Sequence, residues 1–175
     1  MRPARKARAA LGSVVFLAAA PGVVAGFVPW LLTRWNFRDP LPDWIAFRIV
    51  GAIVLVAGVG VLLHAFARFV VEGVGTPAPV VPTERLVVGG LYRYVRNPMY
   101  IAVAATIVGQ ALLLGQLVLV PYAVAFVLVV VAFVHWYEEP HLLRQFGAEY
   151  DVYRRAVPGW RPRRHPWEPG AAARP

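Results

Sequence analysis

Four stretches of this chain are apolar for longer than a water-soluble domain tolerates. Residues 11–32, 44–69, 98–114 and 117–136 carry almost no charge. With four such runs in 175 residues, 59% hydrophobic and 15% charged overall, little remains from which to build a solvated shell. A helix needs about 20 apolar residues to cross a bilayer. The first, second and fourth runs meet that length and 98–114 sits near its short limit. The expected fold is all-α: an integral membrane helical bundle of about four transmembrane segments. Its last two segments form a tight helical hairpin around Gly115-Gln116, and a C-terminal amphipathic cytoplasmic helix follows.

The first run resembles a secretory signal only in being preceded by Arg2, Arg5, Lys6 and Arg8. It is too long for a signal's apolar region, and no cleavage site leading to a polar mature domain follows, so it reads as a span. Within it Pro21 and Pro29 predict bends, and Gly22 and Gly26 form a G-x-x-x-G that predicts close packing with a neighbouring helix. Residues 33–43 read as a short polar connection, with Trp30, Trp35 and Trp44 as interface markers. The second run holds Arg48 near its start and His64 and Arg68 near its end. Arg48 is expected to snorkel outward and Arg68 inward. For His64 both a substrate-facing role and simple interfacial placement stay open. Residues 70–89 contain Thr76-Pro77-Ala78-Pro79 and Pro82, which impose a stiff, extended path; that loop either connects or covers the site. Gly73-x-Gly75 lacks the strand–helix context of a dinucleotide fingerprint.

Charge then orients the bundle. Four Lys or Arg precede the first run, two lie in 33–43, four run from Arg68 to Arg96 inclusive, none lies at Gly115-Gln116 and seven lie from Arg144 onward. The positive-inside rule therefore puts both termini and the second loop in the cytoplasm, as for a multi-pass protein of the cell inner membrane. The net charge of +9 belongs to these flanks. No basic–aromatic module or zinc-finger spacing accompanies it, so no nucleic acid partner is expected. The absence of cysteine excludes disulfides, thiolate nucleophiles and Cys-ligated metals, and no metal is expected. The expected partners are the lipid bilayer and a lipophilic small-molecule substrate. The organisation reads as a basic N-tail (1–10), two spans (11–69), a core carrying the polar motifs and the hairpin (70–162) and a disordered tail (163–175).

Two polar motifs flank the hairpin on its cytoplasmic side. The first is Gly90-Leu91-Tyr92-Arg93-Tyr94-Val95-Arg96-Asn97-Pro98-Met99-Tyr100, where tyrosines, arginines and an Asn-Pro break lead into an apolar segment. The second is Trp136-Tyr137-Glu138-Glu139-Pro140. Adjacent carboxylates at a membrane helix end are costly to desolvate, so they are solvated at the rim or paired with a partner. Charge orientation puts Arg93 and Arg96 at the same depth. Beyond them Leu142, Leu143, Phe146, Tyr150 and Tyr153 recur at helical spacing and mark the apolar stripe of the amphipathic helix, with packing as its role.

The two motifs together resemble the isoprenylcysteine carboxyl methyltransferases and their phospholipid methyltransferase relatives. The resemblance runs over residues 73–162 and rests on Gly90-x-Tyr92-x-x-Val95-Arg96-Asn97-Pro98-x-Tyr100. It is completed by Glu138-Glu139-x-x-Leu142-x-x-x-Phe146-Gly147-x-x-Tyr150-x-x-Tyr153-x-x-x-Val157-Pro158. It implies an integral membrane methyltransferase that moves a methyl group from S-adenosylmethionine to a lipophilic substrate. One cofactor wall would come from Gly90, Tyr92, Arg96, Asn97, Pro98 and Tyr100, the other from Tyr137, Glu138 and Glu139. Arg96, Asn97 and Glu139 would be the catalytic residues. Carboxyl methyltransferases carry histidine where this chain has Asn97, so a role needing an imidazole does not carry over; an amide still donates and accepts hydrogen bonds.

The residue types suit that donor, whose sulfonium, carboxylate, ammonium and ribose call for aromatic faces, a cation and acceptors. Tyr92, Tyr100 and Tyr137 answer the first need, Arg96 the second and Glu138 or Glu139 the third. The acceptor is either an isoprenylcysteine-type carboxylate, which needs no base, or a phospholipid-type amine, for which Glu138, Glu139 and His135 are candidate bases. The alternative from another class is a non-catalytic four-helix membrane protein for lipid binding or assembly. A small transporter fits less well, because mid-membrane ionisable residues are nearly absent.

Overall fold

A computed structural model describes residues 20–68, the helical backbone of 69–73, and residues 86–168. The basic N-tail, the part of the first apolar run before residue 20, the Gly75 and Pro-rich loop over 74–85 and the last residues from 169 lie outside the described residues. Every regular element among the described residues is a helix; there is no strand among them. They form α1 (Val23–Thr33), α2 (Ile45–Gly73), α3 (Pro98–Leu114), α4 (Leu119–Phe146) and α5 (Ala148–Ala156). By length and composition two stretches can cross a bilayer, Ile45–Arg68 and Leu119–Phe146; Val23–Thr33 and Pro98–Leu114 are apolar but shorter.

α3 is the central element. Its bounds match the expected 98–114, because Pro98 starts a helix readily and Gly115 ends it at φ 66. It packs against α2 through glycines at which the two backbones nearly touch. A Cβ on Gly109 would stand 2.6 Å from the Leu55 nitrogen, one on Gly58 2.9 Å from Thr106 Oγ1, and one on Gly51 would collide with the backbone of Leu113. The small-residue contact predicted for Gly26 is not there: a Cβ on it meets nothing within 4 Å among the described residues. Ala102, Val103, Ile107 and Ala111 of α3 bury with Ala25, Leu62, Leu119 and Ala123 to form the core.

Two prolines within helices leave the same signature. Each follows a π turn, Val23–Phe27 before Pro29 and Val134–Glu138 before Pro140. Proline lacks an N–H and its ring crowds the carbonyl one α turn back, so a wider turn accommodates it without ending the helix. α4 therefore runs through Pro140 to Phe146 and breaks only at Gly147, at φ 53 and ψ -126. The helix expected to start after Pro140 is thus two pieces, the end of α4 and the separate α5. At α1 the freed carbonyls are recruited. Val24 and Ala25, one π turn and one α turn before Pro29, accept from the Tyr122 hydroxyl at 2.7 Å and from Gln110 Nε2 at 2.6 Å.

The connections are also more structured than their composition indicates. Trp44 is buried and donates Nε1–H to the Leu112 carbonyl at 2.8 Å, so it serves as an internal anchor where an interface marker was expected. Arg48 does not extend away from the bundle; it binds Asp39 at 2.7 Å and the carbonyls of Arg38 and Leu113. Residues 163–168, expected within the disordered tail, fold back on the first motif. Arg163 N donates to Tyr94 O and Trp167 N to Arg93 O, both at 2.9 Å, and Arg93 Nε returns a bond to Trp167 O at 2.7 Å.

Candidate active site

The first motif opens with Gly90 at φ 56, starting a 3₁₀ turn over Gly90–Arg93. A Cβ there would be strained and would press on Arg68 Cγ at 3.1 Å and His64 Nε2 at 3.2 Å, so glycine lets the turn settle against the end of α2. That contact is what His64 makes; it is not among the residues lining the cavity described below.

From this turn the chain passes beneath the segment that leaves α5. Arg96 N donates to Pro158 O at 3.0 Å and Asn97 N to Gly159 O at 3.3 Å. The Arg96 side chain extends the same connection, with Nε on the Val157 carbonyl at 2.9 Å and Nη1 on Glu139 Oε1 at 2.6 Å and on the Tyr150 hydroxyl at 3.0 Å. Arg96 and Glu139 are 14% and 18% exposed, which makes this a largely desolvated ion pair; Arg154 stands 3.9 Å from the other Glu139 oxygen. Burial pushes the Tyr150 hydroxyl above its usual range, against the pull of Arg96, and burial raises Tyr153 as well, so both remain neutral hydroxyls. Tyr153 donates to the Tyr92 carbonyl at 2.7 Å. With Val157 and Trp167 these tyrosines form a small core under the motif.

A cavity of about 260 Å³ opens beside this network. Tyr92, Arg96, Asn97, Pro98, Met99, Tyr100 and Glu138 supply its motif side, and Ala20, Pro21, Val24, Val103 and Phe126 supply its apolar side. The Tyr100 hydroxyl donates to Glu138 Oε2 at 2.9 Å, tying α3 to α4 at the cavity. Successive positions on a helix point about 100° apart, so the adjacent carboxylates diverge: Glu138 lines the cavity and Glu139 takes Arg96.

Asn97 is the unusual member. It occupies the N-cap of α3, where asparagine normally accepts a bond from the first turn, yet it makes no side-chain cap. Its side chain is buried, lines the cavity, and leaves Nδ2 without a partner among the described residues. An unsatisfied buried donor costs about 1–3 kcal/mol. Gly159 is what lets the chain pass so near, since a Cβ there would lie 3.4 Å from Asn97 Nδ2 and 3.3 Å from Arg96 Nη2.

A family model described as phospholipid methyltransferase matches residues 46–149, more than half the chain. The chain belongs to the phospholipid methyltransferase family. No curated protein and no solved structure matches it significantly. The matched region begins at α2 and ends beside Tyr150, so it contains both motifs and the hairpin, while α1 and the strap after α5 lie outside it.

Of the residues expected at the site, Tyr92, Arg96, Asn97, Pro98, Tyr100 and Glu138 share the cavity. Glu139 is one bond away through Arg96, and Gly90 shapes the turn. Tyr137 does not join them: it is 47% exposed, with its ring stacked between Phe133 and His141. His135 is likewise exposed, packs on Trp136 and is not among the residues lining the cavity. Sequence reasoning missed Gly159, Met99 and the apolar wall of Val24, Val103 and Phe126. The wall carries no polar signature, but the Pro158-Gly159 pair next to an arginine-rich strap was a readable cue for close approach.

Proposed function

We propose that this protein is an integral membrane methyltransferase that uses S-adenosylmethionine and takes a lipophilic acceptor from the bilayer. In this reading α1, α2, the α3/α4 hairpin and their apolar flanks make about four spans, with both termini cytoplasmic. Family membership supports methyl transfer, and the two long apolar helices support the membrane setting.

The observation that carries the reading is the unpartnered Asn97 amide in the wall of a cavity that also holds Glu138. Such a donor awaits an acceptor, and S-adenosylmethionine presents a carboxylate and ribose oxygens. Asn97 and the Arg96 edge beside Gly159 would hold its acceptor groups. Glu138, oriented by Tyr100, would hold a donor or cationic group. The cofactor supplies a methyl group already activated by positively charged sulfur. The protein's own task is then positional: Tyr100 fixes Glu138, the Arg96–Glu139 pair fixes the strap over the motif, and the apolar wall keeps water out.

The charge balance favours an amine acceptor over a carboxylate. Arg96 and Glu138 are the charged residues lining the cavity, and Arg96 is already neutralised by Glu139. A second anion brought beside Glu138 would be repelled, whereas an ammonium headgroup would be attracted and could pass its proton to that carboxylate. The test is incubation of purified protein in lipid extract with methyl-labelled S-adenosylmethionine and mass identification of the product. A methylated amine lipid is the expected result, and a methyl ester would refute the amine assignment.

A further inference from the structure

The cavity has one wall that the family match does not cover. Ala20, Pro21 and Val24 line it, and all three precede residue 46. That wall is held by borrowed bonds. Pro29 deprives the π turn of a donor, and Tyr122 on α4 and Gln110 on α3 supply the missing ones to Val24 and Ala25. The turn that carries Val24 is thereby fixed to the same two helices that carry Val103 and Phe126.

The cavity is also polarised along its length. Glu138 and Phe126 both line it and sit about 18 Å apart along α4, at a rise of about 1.5 Å per residue. Tyr100 and Val103 repeat the same order on α3, one turn apart. Arg96, Asn97, Tyr100 and Glu138 occupy one end, while Val24, Val103 and Phe126 provide apolar wall. A ligand matching this gradient is an amphiphile with its polar head at Glu138 and its hydrocarbon directed toward Phe126.

The geometry points to α1 as the wall that selects the acceptor's tail. Val24, with Val103 and Phe126, limits the bulk of hydrocarbon that enters, and Tyr122 is the positioning residue that holds Val24 in place. This rests on reading the cavity as the methyl-transfer site.

The test uses the full chain in lipid nanodiscs and a long-chain primary alkylamine bearing a diazirine on its tail. Photolabelled residues are mapped by mass spectrometry, and unlabelled straight-chain and branched-chain alkylamines compete for labelling. In the wild type, label falls on the peptides containing Val24 or Phe126, and the straight-chain amine displaces it better than the branched one. Val24→Trp fills the wall and lowers labelling about tenfold, a change typical of steric discrimination in an apolar pocket. Val24→Leu, a milder change, shifts the same readout in the same direction should the tryptophan variant fail to fold. Tyr122→Phe keeps the ring, removes the bond to Val24, and brings the two competitors to within about twofold of each other at unchanged cofactor affinity and melting temperature. Labelling confined to other helices, or a Val24→Leu variant that labels and discriminates as the wild type does, overturns the inference. A wild type that takes the label at Val24 but shows no saturable S-adenosylmethionine binding would instead sink the methyltransferase reading and leave the tail wall standing.

Discussion

Arg96 and Glu139, 43 positions apart in sequence, meet at 2.6 Å between Nη1 and Oε1 and hold three segments at one point. The same guanidinium takes the Val157 carbonyl, so the approach to α3, the end of α4 and the strap after α5 share a single side chain.

Removing one partner of that pair leaves a largely buried charge. Arg96→Met or Glu139→Gln should therefore lower unfolding free energy by about 3 kcal/mol, measured by thermal or denaturant unfolding in detergent. The double variant Arg96→Met/Glu139→Met should recover a large part of the loss while staying defective in methyl transfer. Strict additivity of the two single effects would show that the residues do not act as a pair.

Glu138 should behave in the opposite way. It faces the cavity and accepts a bond from the Tyr100 hydroxyl, so Glu138→Gln should weaken S-adenosylmethionine binding about tenfold, the equivalent of about 1.4 kcal/mol, with stability nearly unchanged. Tyr100→Phe should give a smaller loss, about 1 kcal/mol or less, because it removes an orienting bond and leaves the carboxylate. Isothermal titration on both variants separates these outcomes.

Pro140 follows the π turn that ends on Glu138, and that turn sets where along α4 the carboxylate meets the cavity. Pro140→Ala restores an N–H and lets α4 close its π turn, which should raise helix stability and reduce turnover by more than about tenfold, since a wrongly aimed carboxylate loses its positioning. A variant with wild-type turnover would mean that the wide turn is incidental to the site.

The glycines divide into those that separate backbones and those that do not. Gly109→Ala must push α3 away from Leu55 and should cost about 1–3 kcal/mol. Gly26→Ala meets nothing within 4 Å and should be neutral or stabilising by up to about 1 kcal/mol through helix propensity. Unfolding midpoints of the two variants check both signs.

Much of this was legible in the residues. Pro98 and Gly115 bound α3 because their backbone rules are local, and the two motifs were visible because arginine and paired carboxylates beside apolar runs demand partners. The π turns were not legible: a proline within an apolar run reads as a bend, and only the packed helix shows that the ladder widens and continues. Tyr137 faces outward although its neighbour Glu138 faces the cavity, as the angle between successive helical positions allows. Among the described residues Gly26 lacks the close contact its spacing suggested because small-residue motifs state what can pack closely, and Gly51, Gly58 and Gly109 do so without that spacing.

Asn97 decides the account. Its Nδ2 is buried without a partner among the described residues, so Asn97→Ala or Asn97→Leu should leave stability unchanged or raise it by about 1 kcal/mol. Titration of labelled S-adenosylmethionine into wild-type and Asn97→Ala protein in nanodiscs, read beside their unfolding midpoints, is the most direct measurement. The account predicts saturable binding by the wild type and about tenfold weaker binding by a variant that is no less stable. No saturable binding by the folded wild type, or a variant that binds as tightly as the wild type, would contradict it.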